Sequence, residues 1–196
     1  QSLASNSSGS WNIGQGYYAL KSNTTGGQNI AVGTCALFCN TIGYANIAQG
    51  YQALNRNTTG GYNVAIGYYS QGSGTDQRSV SIGYYSLQNN NGADNVIIGY
   101  YAGYYADSVS EAVLIGRDAG YYLYNGVGTV AIGNQALSNN YYGQQNTMVG
   151  YQTASTRQVG HSTALGYQAL KNAGGNYHTA VGFQASFSVG AQTEET

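Results

Sequence analysis

The chain of 196 residues carries six Lys and Arg against seven Asp and Glu, a net charge of −1, and only 7% of its residues are charged, where about 25% is usual. Its cations, Lys21, Arg56, Arg78, Arg117, Arg157 and Lys171, are scattered; phosphate binding needs them clustered, so no nucleic-acid partner is expected. No apolar run approaches the ~20 residues of a membrane helix, so no membrane insertion is expected either.

Three segments are read along the chain. Residues 1–10 are polar and flexible in composition, residues 11–190 are a tandem repeat, and residues 191–196 are a short acidic tail. Residue 1 is Gln rather than Met and no signal-peptide core precedes the repeats, which we read as a processed or excised chain.

The repeat is marked by a glycine after a short aliphatic stretch, at Gly16, Gly33, Gly50, Gly67, Gly83, Gly99, Gly116, Gly133, Gly150, Gly166 and Gly182, in steps of 16 or 17. Taking that glycine as position 0, position −3 is β-branched in every copy: Ile13, Ile30, Ile47, Val64, Val80, Val96, Val113, Val130, Thr147, Thr163 and Thr179. Position −1 is mostly aliphatic and position −2 mostly small, the large-small-large alternation of a strand with its large side chains on one face. Position +3 is small in every copy, Leu often follows it, and the remainder is turn chemistry such as Asn23-Thr24-Thr25-Gly26-Gly27.

A copy of this length is too short for a helical hairpin and too rich in Gly, Asn and β-branched residues. One coil per copy explains why the same residue recurs at the same phase, because equivalents stack. The expected fold is therefore all-β, a parallel β-solenoid of about eleven coils of 16–17 residues. Asn12, Asn29, Asn46, Asn63, Asn95 and Asn146 share position −4 and should form a partial amide ladder. The lack of proline fits a backbone whose N–H groups are needed for pairing.

The blocks Asn63-Val64-Ala65-Ile66-Gly67, Thr129-Val130-Ala131-Ile132-Gly133 and His178-Thr179-Ala180-Val181-Gly182 resemble the head repeats of YadA-like trimeric autotransporter adhesins, and Gly-Tyr-Gln-Ala-Leu at 50–54 and 166–170 is similar to phage tail-fibre repeats. The resemblance spans about residues 11–190. It implies a left-handed parallel β-roll, usually homotrimeric, at a cell or virion surface. The copies here are slightly longer than the adhesin repeat, and within these 196 residues we read no coiled-coil stalk, anchor barrel or chaperone domain.

Position +1 holds Tyr17, Tyr51, Tyr68, Tyr84, Tyr100, Tyr151, Tyr167 and Phe183, an expected aromatic column. It is read as structural glue, with a glycan-binding platform as the alternative. Rows of alanine leave two readings open, close approach of a neighbour or a thin core. Uncapped coils at the ends should dock on another copy or domain.

Little in the sequence points to catalysis, and neither an enzyme nor a cofactor is expected. Arg78, Asp94 and Glu111 share position −5; an exposed ion-pair ladder is preferred there over a cation site or a glycosidase-like acid pair. His161 and His178 lie one phase apart in neighbouring coils with no third ligand, so no metal site is expected. Cys35 and Cys39 leave an intra-coil disulfide open. Asn6, Asn23 and Asn57 head glycosylation sequons, with turn chemistry preferred at Asn23 and Asn57. The expected function is a self-assembling extracellular fibre, filament or adhesin-type shaft, a homo-oligomer. A carbohydrate-binding or ice-binding module using the tyrosines is the alternative, and Thr147, Thr163 and Thr179 supply only a short threonine array for ice.

Overall fold

A computed structural model describes residues 1–72, 76–156 and 158–186. Each strand of the main sheet is three residues long and sits at positions −3 to −1 of its copy. In chain order they are β1 (Ile13–Gln15), β2 (Ile30–Val32), β3 (Ile47–Gln49), β4 (Val64–Ile66), β5 (Val80–Ile82), β6 (Val96–Ile98), β7 (Val113–Ile115), β8 (Val130–Ile132), β9 (Thr147–Val149), β11 (Thr163–Leu165) and β13 (Thr179–Val181). Two shorter strands, β10 (Val159–Gly160) and β12 (Gly175–Asn176), pair with each other. The eleven long strands form one parallel sheet in sequence order. Equivalents pair directly, for example Val64 with Val80 and Val96 with Val113. The parallel β-solenoid expected from the repeat is the fold.

Position 0 is glycine because of the backbone. Gly67 has φ +134° and Gly83 φ +141°, a region essentially closed to residues with a Cβ. A Cβ on Gly67 would lie 2.3 Å from the Gly83 carbonyl oxygen of the next coil.

Each coil turns further corners at positions +2, +4 and −5, where the backbone is left-handed. In one coil these are Tyr69 (φ 51°), Gln71 (φ 50°) and Arg78 (φ 53°). Non-glycine residues pay roughly 1–2 kcal/mol for this conformation. It is held because the corner N–H groups join the inter-coil ladder: Tyr69 N–H donates to Tyr51 C=O at 2.9 Å and Arg78 N–H to Gly61 C=O at 3.1 Å.

The interior is thin. It takes position −2 from the strand (Ala31, Ala48, Ala65, Ala131, Ala164), position +3 (Ala19, Ala36, Ala53) and the leucines of position +4 (Leu20, Leu37, Leu54, Leu87, Leu137, Leu170), all fully buried. Volume is exchanged across it. Where position −2 enlarges to Ile97 or Leu114, position +4 shrinks to Gly103 or Gly120, and where it is Met148, position +4 is Ala154. This decides between the two readings of the alanine rows: they line a thin core.

Two buried amide ladders run along one side. Asn29 Nδ2, Asn46 Nδ2 and Asn63 Nδ2 each donate to Oδ1 of the Asn in the preceding coil, at 3.2, 3.1 and 3.1 Å. The second ladder, not foreseen from sequence, joins Asn23, Asn40 and Asn57 to Asn6, Asn23 and Asn40 at 2.8, 2.8 and 2.9 Å. The polar first segment takes part in the stack: Asn6 is a rung of that ladder, and Leu3 N–H donates to Ala19 C=O at 3.0 Å. The expected tail at 191–196, and the end of the repeat at 187–190, lie outside the described residues.

The core is interrupted once by a polar layer. Apolar packing runs from Ala19 to Ala65 and resumes at Leu87. Between them Ser70, Ser81 and Ser86 form a closed buried triangle of hydroxyls at 2.9, 3.1 and 2.7 Å. Gln71 replaces leucine at position +4, and its Nε2 donates to Asp76 Oδ2 over 3.4 Å. Asp76 is 1% exposed, and burial pushes its carboxyl up to about 8.

The folded chain therefore keeps a proton that the unfolded chain releases near the ordinary value of 3.8. Stability should be greatest in acid, fall as pH rises from about 4, and level off above about 8. Asp76→Asn should remove this slope and be the more stable form at alkaline pH. Urea unfolding of both proteins across that range checks this; parallel curves would count against a protonated Asp76.

Candidate functional site

Two surfaces stand out, and both arise from what the coil cannot hold inside. The first is the outer face of the sheet. With position −2 turned inward, positions −3 and −1 face out. The sequence placed the large side chains together on one face; the structure shows that face to be the exterior one. From β4 to β8 it is entirely aliphatic, running from Val64 and Ile66 to Val130 and Ile132, all half-buried. Strand spacing of ~4.8 Å and ~3.3 Å per residue give the whole sheet face a footprint of about 500 Å², roughly half of it in this block. An open apolar patch of a few hundred Å² is often functional.

The second surface is aromatic. The eight rings of position +1 do not form one column. Tyr51, Tyr68, Tyr84 and Tyr100 stack with centroids 5.0, 5.1 and 5.2 Å apart and planes within 14°. Tyr151, Tyr167 and Phe183 make a second run at 5.2 and 5.1 Å. Thr34, Arg117 and Asn134 interrupt the series, and Tyr17 packs on Tyr18 of its own coil. Parallel rings this close must overlap, so each covers part of its neighbour's faces. Within each run the rings link coil to coil, which is the contact that the structural-glue reading expects.

From the first run the aromatic surface drifts obliquely across the coil. Tyr69, Tyr85 and Tyr101 stack at position +2, Tyr104 and Tyr121 at +5, Tyr105 and Tyr122 at +6, and Tyr124 and Tyr141 at +8. Edge contacts such as Tyr85–Tyr104 at 5.6 Å and Tyr121–Tyr122 at 4.7 Å join them into one stripe. Sequence reasoning missed the +5, +6 and +8 pairs; the signal for them was their equal phase in adjacent copies. Burial raises the phenols of Tyr85, Tyr101 and Tyr104 and pushes Tyr121 up to about 12, neighbouring phenols adding to it.

A cleft lies at each side of the stripe. One, of about 290 Å³, is lined by Tyr101, Asp118, Tyr121, Gln135, Ser138 and Asn139. The other, of about 460 Å³, is lined by Arg56, Asn89, Asn91, Tyr105, Asp107 and Tyr124.

No family model, no curated protein and no solved structure matches this chain.

The remaining candidates resolve individually. Arg78 donates to both oxygens of Asp94, at 2.6 and 2.8 Å, on an exposed surface, and this bonding lowers the Asp94 carboxyl. That is the ion-pair reading; Glu111, next in the column, makes no side-chain hydrogen bond or ion pair among the described residues. His161 stacks on Tyr177 at 5.2 Å, while the His178 ring is bonded to Gly174 C=O at 3.1 Å, so the two imidazoles serve different partners. Cys35 and Cys39 are free thiols. Asn23 and Asn57 are corrected as glycosylation candidates: both are 0% exposed with their Nδ2 atoms engaged in the ladder, leaving no room for a glycan. Asn6 is exposed, but its amide is spent on Gly9 C=O and on Asn23. Among the described residues there is no helix long and apolar enough to cross a membrane.

Proposed function

We propose that this chain is a structural rod, an extracellular fibre or adhesin-type shaft, whose copies associate side by side through the outer face of the sheet. The observation that carries the reading is the unbroken aliphatic block from Val64 to Ile132, turned outward on a rigid parallel stack. Water disfavours such a surface in proportion to its area. A stable interface takes about 800 Å² per partner, and the rings of position +1 beside the sheet would supply the remainder. The resemblance to trimeric adhesin heads favours three copies around a common axis and a place on a cell or virion surface. The ends add a second route, since Val181 and Phe183 in the last described coil are 66% and 73% exposed.

Val96→Lys with Ile98→Lys tests the lateral contact, because both side chains point away from the core. Sedimentation should show the parent chain as an oligomer and the double variant as a monomer with the same circular dichroism. A parent chain that remains monomeric at high concentration, or a double variant that assembles equally well, would remove the lateral interface.

A further inference from the structure

The stacked tyrosines cover one another except where a column stops. The +5 column consists of Tyr104 and Tyr121, and its next member is Ser138, too short to reach over a ring. On the side of the following coil Tyr121 therefore has no ring stacked on it, and it lines a cleft there. The +2 column stops beside it: after Tyr69, Tyr85 and Tyr101 comes Asp118. The 290 Å³ cleft opens at this double termination.

The polar groups in the cleft are also at an end. A chain of glutamine amides descends the +2 column, Gln184 to Gln168 at 3.1 Å, Gln168 to Gln152 at 2.8 Å and Gln152 to Gln135 at 2.6 Å, each Nε2 donating to the next Oε1. It finishes at Gln135, whose own Nε2 has no acceptor among the described residues. Asp118 Oδ2 is held by Arg117 Nε at 3.1 Å, leaving Oδ1 as an open acceptor. An aromatic face, a free amide donor and a free carboxylate acceptor thus converge on one cavity.

We infer that this cleft binds a neutral sugar unit, its apolar C–H face laid on Tyr121 and adjacent hydroxyls bonded to Asp118 and Gln135. A pyranose suits the set because it has an apolar face and a rim of hydroxyls that both donate and accept. Among the described residues that line the cleft there is a carboxylate, Asp118, and no cation, which disfavours phosphate-bearing or uronic ligands. The site is separate from the sheet face proposed for assembly, and it confines sugar binding to the column ends, not to the column as a platform.

The test is a calorimetric titration of the intact protein with cellohexaose, chitohexaose and mannohexaose, with trigalacturonate as the anionic probe. At least one neutral hexaose should bind. Tyr121→Ser, which copies the residue found at this phase in the next coil, should weaken it about tenfold, as should Asp118→Asn. Tyr121→Phe keeps the ring and should retain binding, which covers the case in which the serine variant does not fold. Tyr84→Thr, in the middle of a column, should change nothing. Failure of all three neutral hexaoses to bind, binding of trigalacturonate alone, or equal weakening by Tyr84→Thr and Tyr121→Ser would each overturn the inference.

Discussion

Gly83→Ala is expected to be among the most damaging substitutions in the chain, costing at least about 4 kcal/mol and so a large share of the stability of an ordinary domain. Two effects add. The backbone at φ +141° admits essentially only glycine, and the new Cβ would stand 2.2 Å from the Gly99 carbonyl oxygen. That oxygen belongs to the next coil and cannot withdraw without breaking the register. Gly182 separates the two effects. Its φ is +127°, yet a Cβ there would meet nothing within 4 Å among the described residues. Gly182→Ala should therefore cost only the conformational part, roughly 1–3 kcal/mol. Urea unfolding of the two variants checks the difference. Equal costs would mean that the close approach of successive coils is not what fixes the glycine.

Leu114→Ala should cost about 2–5 kcal/mol by opening a cavity in a core with little else to fill it. Gly120→Leu alone should also destabilise the fold, since its Cβ would lie 2.7 Å from Leu114 Cδ1, an overpacking that cores tolerate poorly. Combined, the two should largely cancel, because leucine is the residue of position +4 in six other coils and holds the same left-handed backbone there, with φ 50–54°. The pair would then reproduce the Ala-and-Leu arrangement of coils such as that of Ala131 and Leu137. A double-mutant cycle measures the coupling, expected to be favourable by more than about 2 kcal/mol. Additive losses would show that the coil does not exchange volume across its interior.

The same residues mark how far the sequence could be read. The glycine column was legible because a steric demand repeated at every coil leaves the same residue at the same phase. The strands were legible because β-branched residues occupy position −3 without exception. The ladder of Asn29, Asn46 and Asn63 was legible for the same reason. The polar layer around Asp76 was not, because it occurs once: Gln71 and Asp76 have no equivalents at the same phase in other copies, and only the stack buries them.

By itself, then, the sequence determined the architecture: a periodic chemical requirement writes itself into a periodic chain, and parallel stacking is what satisfies it. The tertiary structure alone decided which side of the strand faces the core. Alternation gives two faces and no sign. The interior of so narrow a coil takes only Ala31 and Ala48 from the strand because Leu37 and Leu54 already fill it from the opposite wall. It also decided where the open aromatic surface lies. A ring's faces are free or covered according to its neighbour one coil away, which for Tyr121 is Ser138 and for Tyr84 is Tyr100.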